Sequence, residues 1–124
     1  MFEKPIRQDL VALSKAETLL KERWKEFEAM NLIPTEDIPN YDTRSIWVVL
    51  YGIDKWYKLF SSRQLLAMLT LAKHIIKASE EIEQEGGKEY AKIVITYLAL
   101  TLCQHARFNS LGTTWNSGGA KESI

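Results

Sequence analysis

Two histidines, one cysteine and a cluster of four glutamates are the side chains here with obvious chemical potential. His74 and His105 fall on separate amphipathic segments, each among apolar residues and without a regularly spaced acid. Zinc takes four ligands at a structural site and three plus water at a catalytic one, so this pair reads as hydrogen-bonded histidines at a core edge. Cys103 closes an apolar run from Ile93 and reads as a small buried hydrophobe; a nucleophilic thiol needs electropositive, partly exposed surroundings. Glu80, Glu81, Glu83 and Glu85 read as a solvated run, because general acid–base work requires a carboxylate in a cleft. Gly86-Gly87 and Gly118-Gly119 follow no strand and begin no phosphate-cradling pattern. No catalytic, cofactor-binding or metal-ligating set emerges. A less ordinary grouping is Tyr51, Trp56 and Tyr57 beside Lys55, Lys58 and Arg63. Rings interleaved with cations can hold single-stranded nucleic acid by stacking and charge; lining a core is the plainer alternative.

The most informative stretch is Leu59 to Met68, which reads as a helix start. Ser61 suits the N-cap, and Gln64 three residues later can reach back to the cap's backbone N–H. Phe60 and Leu65 are placed as a hydrophobic staple across that cap. Arg63 puts a cation at the positive end of the helix dipole. It therefore calls for a carboxylate, a backbone carbonyl or a phosphate as partner. Glu36, Asp37 and Asp42 are the candidate carboxylates.

Those residues need a scaffold, and the totals bound it. The 124 residues suit one domain, 46% hydrophobic and 26% charged, as expected of a globular protein. Sixteen basic residues balance sixteen acidic ones. That balance argues against DNA binding by this chain alone, though not against contact as part of a larger protein. A single cysteine allows no internal disulfide. Met-Phe-Glu-Lys-Pro lacks signal-peptide order, and the longest apolar run is well under the ~20 residues that span a bilayer. A cytoplasmic protein without a membrane partner is expected.

The predicted architecture is all-α: a small bundle of three long helices plus a short one. The first helix runs from Gln8 to about Met30, its stripe being Leu10, Leu13, Ala16, Leu20, Trp24, Phe27 and Met30. Asn31 to Thr43 is a proline-rich connector whose Leu32, Ile33 and Ile38 should lie across the helices. Arg44 to Tyr51 fits either a strand or a short buried helix. A short helix follows over Lys55 to Phe60. The second long helix extends from the Ser61 cap to about Glu85, its glutamate-rich end either fraying or meeting a basic surface. The third spans about Lys88 to Asn109, apolar enough to predict burial all round its middle. Residues 110–124 read as a mobile tail.

The segment Tyr51-Gly52-Ile53, Trp56 and Leu59-Phe60-Ser61-Ser62-Arg63-Gln64-Leu65-Leu66-Ala67-Met68 resembles an internal helical region of the adenine-specific DNA methylases that contain a zinc ribbon. Members read Leu-Phe-Thr-Pro-Arg-Gln-Leu-Leu-Ala-Leu there; Ser61-Ser62 replaces Thr-Pro, and serine caps as threonine does. Leu32-Ile33-Pro34-Thr35-Glu36-Asp37-Ile38-Pro39 resembles the stretch preceding that box, and Ala99-Leu100, Arg107-Phe108-Asn109-Ser110 and Trp115 resemble later ones. The resemblance covers roughly residues 30 to 120. It implies a parent enzyme using S-adenosylmethionine. The family's cofactor loop, its Asp/Asn-Pro-Pro-Tyr tetrad and its zinc-ribbon cysteines are absent from these 124 residues. The expectation is therefore a non-catalytic helical segment, partnered by the remainder of a methylase core and by DNA, or else a purely structural or protein-interaction module. The candidate contacts, to DNA or to the fold itself, are Arg63, Gln64, Arg107, Asn109 and Trp115.

Overall fold

A computed structural model of the chain describes residues 4–39 and 47–113. It contains α1 (Arg7–Ala29), α2 (Ser62–Gly86) and α3 (Lys88–Phe108), with two 3₁₀ helices, η1 (Trp47–Tyr51) and η2 (Trp56–Leu59). The all-helical expectation holds. α1 and α3 each pack on α2.

Only the second half of the α1 stripe enters the core. Ala16, Leu20 and Phe27 are buried, whereas Ile6, Leu10 and Leu13 are exposed. The opening turn is held instead by Asp9, whose carboxylate accepts the Ile6 backbone N–H at 2.9 Å. The helix ends in a Schellman motif. Asn31 takes the left-handed φ of 53°, Leu32 N–H donates to the Phe27 carbonyl at 3.0 Å, and Asn31 N–H donates to that of Glu28 at 2.9 Å. Asparagine tolerates this backbone better than most side chains, so the turn is made without a glycine.

That turn throws the connector across the helices, as its apolar residues predict. Ile33 and Ile38 are buried. Backbone bonds tie it to the segment before α2: Ile38 N–H to the Asp54 carbonyl at 2.7 Å, and Tyr57 N–H to that of Pro34 at 3.1 Å. Lys55 Nζ adds bonds to the Thr35 carbonyl at 3.0 Å and to Asp37 Oδ1 at 2.8 Å. The core is then Leu20, Phe27, Ile33, Leu65 and Leu69, edged by Trp24, Leu32, Tyr57, Phe60 and Leu66. Trp24 and Tyr57 meet edge to face, centroids 5.4 Å apart. All of this lies among α1, the connector, η2 and the first half of α2.

Of the ambiguous piece Arg44 to Tyr51, residues 44–46 lie outside the described residues, and Trp47–Tyr51 is a 3₁₀ helix. Among the described residues it has no neighbouring strand, so its β-branched residues turn locally, closed by Gly52 N–H to the Val49 carbonyl at 3.0 Å. Gly52 takes φ 80°, which stops the turn.

α2 continues through its glutamates to Gly86. Gly87, at φ 81° and ψ 165°, caps both long helices. Its N–H donates to the Glu83 carbonyl, and its own carbonyl accepts the Ala91 N–H, each at 3.0 Å. The chain thus reverses in one residue, and α3 returns antiparallel along α2. Burial of α3 on all sides is not found. Ala91 is its one buried residue, while Tyr90, Ile93, Tyr97 and Leu100 are more than half exposed. Cys103 is exposed too. The reason is geometric: the core forms on the α1 side of α2, so among the described residues α3 packs on one long helix where its composition suits two.

Candidate site at the end of the α2–α3 hairpin

Arg63-Gln64 and Arg107-Asn109 lie 43 residues apart at their inner edges, yet the antiparallel hairpin brings them to one end of the fold. The end is fastened by Leu111 N–H, which donates to the Leu59 carbonyl at 2.6 Å, just ahead of the α2 cap. Thr113 Oγ1 donates to the Arg107 carbonyl at 2.7 Å, so residues 110–113 of the expected tail fold back on α3. Residues 114–124, with Trp115, lie outside the described residues.

Within this end the four described candidates divide. Gln64 belongs to the cap: its Oε1 accepts the Ser61 backbone N–H at 2.9 Å and the Ser61 hydroxyl at 2.8 Å. The reciprocal bond from Gln64 N–H to Ser61 Oγ is longer, 3.4 Å. Asn109 caps the other helix, its Nδ2 donating to the His105 carbonyl at 2.9 Å. Both amides therefore serve the backbone. Arg63 and Arg107 are exposed, and neither has a carboxylate within salt-bridge distance among the described residues. Asp37, one expected partner for Arg63, is held by Lys55 instead. Asp42 lies outside the described residues. The Arg107 guanidinium stands 5.8 Å from the centroid of the Phe108 ring.

The interleaved rings and cations do not assemble into a basic groove. Tyr57 packs on Trp24, and Lys58 is paired with Asp54 at 2.6 Å as Lys55 is with Asp37. Tyr51 and Trp56 remain exposed. The hydrogen bond from Lys58 holds the Asp54 carboxyl below its ordinary range. Hydrogen bonds to Asp37 and Asp54 raise Lys55 and Lys58, respectively. His74 and His105 are exposed, and among the described residues no cluster of three potential metal ligands forms.

An electrostatic clamp between α1 and α2 escaped sequence reasoning, because its partners are distant in the chain. Glu26 accepts from Lys73 on α2 and from Arg23 Nε at 3.1 Å. The Lys73 hydrogen bond, followed by that from Arg23, lowers the Glu26 pKa from its ordinary 4.5. A carboxyl depressed in the folded state stabilises above its unfolded pKa, and the contribution is lost as pH falls through the folded value. Thermal melts should hold steady from neutral pH down to about 5 and weaken below 4.5, and Glu26→Gln should flatten that acid limb.

Among the described residues no helix is long and apolar enough to cross a membrane. Comparisons with protein-family models, with curated proteins and with solved structures find no match.

Proposed function

We propose that this chain is a non-catalytic helical segment that positions DNA beside a DNA (adenine) methyltransferase core. The observation that carries the reading is the pair of exposed arginines, Arg63 and Arg107, gathered at one end of the hairpin. Among the described residues no carboxylate pairs with either guanidinium, and a phosphate can accept two parallel hydrogen bonds from each. The capping amides of Gln64 and Asn109 keep both helix ends rigid, so they support the arginines. In this reading S-adenosylmethionine and the target-amine site belong to the partner core, and the complex works in the cytoplasm.

The test is gel retardation of single- and double-stranded DNA by the whole chain at low salt. Weak binding that falls steeply with added salt is expected. Arg63→Ala should lower affinity by roughly 3- to 10-fold, as loss of one phosphate contact, and leave the melting temperature unchanged. No retardation at low salt, or a melting temperature that drops with Arg63→Ala, would replace this reading with a structural role. A second reading, a protein-interaction module without DNA contact, is favoured by the uncovered face of α3.

A further inference from the structure

From Ile93 to Gln104 the chain has twelve consecutive residues without a charged side chain. Helical spacing divides them between two faces. One face, Ala91, Val94, Ile95, Leu98, Leu102 and Ala106, is the more covered. The other follows Tyr90, Ile93, Tyr97 and Leu100, 58%, 57%, 69% and 57% exposed, and continues to Gln104 and Arg107. Its steps alternate three and four, the spacing of a seam between paired helices. A helix apolar on two faces is built to lie between two neighbours, and among the described residues α3 packs on α2 alone of the long helices.

We propose that the second neighbour is α3 of another copy of this chain, lying antiparallel about a two-fold axis. The order of residues along the stripe suits such a pairing. Antiparallel seams set each residue of one spacing class against the other class of the partner helix. With the axis between Leu98 and Ala99, Tyr97 of each copy lies at the level of Leu100 of the other, Ile93 at that of Gln104, and Tyr90 at that of Arg107. The two apolar layers are therefore central and the polar ones outermost. Glu89 and Arg107, of opposite sign, bracket the uncharged span, so each end of one copy meets its complement on the other. Lys92, which also borders the groove beside Glu89, lies further round the helix. A parallel pairing would instead set Arg107 against Arg107.

The area fits a weak dimer. A fully buried aromatic side chain covers about 150–250 Å², and these four are 57–69% exposed, so with a rim of smaller contacts they give on the order of 600 Å² per copy and 1,200 Å² in all, the low end of specific interfaces. This pairing shares Arg107 with the arginine-based reading of the hairpin end. The test of that reading turns on Arg63, which lies off the seam, so failure of one is distinguishable from failure of the other.

Sedimentation equilibrium of the full chain, from a few to several hundred micromolar, tests the proposal. A monomer–dimer equilibrium is expected, with a dissociation constant on the order of tens of micromolar. Tyr97→Glu sets two like charges near the axis and should weaken it at least about 30-fold, with helix content by circular dichroism unchanged because Tyr97 is exposed. Leu100→Gln gives a second probe should that variant fold poorly. Arg63→Ala should leave the dimer intact. A monomer throughout, or a dimer indifferent to both α3 substitutions, would overturn the proposal and leave the face to a different protein.

Discussion

Replacing Phe27 by alanine should do more damage to this fold than any other single truncation. Among the described residues Phe27 is the one large side chain with no exposure, and it sits where α1, the connector and α2 converge. Deleting a buried phenylalanine costs about 3–5 kcal/mol through lost burial and the cavity left behind. A domain of this size holds only about 5–15 kcal/mol in total. The ring also carries the Arg23 guanidinium 4.7 Å above its centroid, which an alanine methyl cannot hold. The melting temperature should fall by at least about 10 °C, at a few degrees per kcal/mol. Chemical denaturation with circular dichroism would measure it, with the exposed Leu10→Ala as the surface control. A comparable loss for both would mean that the first turns of α1 contribute more to the core than their exposure indicates.

Gly87→Ala should have the next largest effect, and a local one. The backbone there, at φ 81° and ψ 165°, belongs almost entirely to glycine, and forcing a Cβ into it costs about 1–3 kcal/mol. No neighbouring atom obstructs a Cβ at Gly87, so the penalty is conformational. At Gly86 the situation reverses: a Cβ would run into Tyr90 Cδ1, but that ring is exposed and can swing away. Gly86→Ala should therefore be the milder change. Hydrogen exchange would separate the cases, with Gly87→Ala deprotecting α3 while the α1–α2 core stays protected. Uniform deprotection would show that the hairpin and the core unfold as one unit.

How much of this was legible in the residues follows from the range of each interaction. The three long helices, the Ser61–Gln64 cap and the Gly86-Gly87 break depend on neighbours within about four positions, and sequence spacing reports those directly. The connector's path over the core was legible as well, because Ile33 and Ile38 have few other ways to leave water. The 3₁₀ turn over Trp47–Tyr51 was not, since β-branched residues form a strand only where another strand accepts them. The exposed face of α3 departs from the expectation for a related reason. Its apolar content shows that two faces favour burial, but nothing local tells whether this chain supplies both neighbours.

The candidate site divides along the same line. Sequence alone marked Arg63, Gln64, Arg107 and Asn109, and identified Ser61–Gln64 as a cap, because a capping box closes within one turn. The tertiary structure decided that the two boxes share one end of the fold, through the antiparallel hairpin and the Leu111–Leu59 bond. It also set Asn109 to capping α3, left both guanidinium groups facing water, and gave Glu26 to Lys73 across 47 residues. Spacing along a chain determines what a helix face carries; only the packing of helices determines what that face meets.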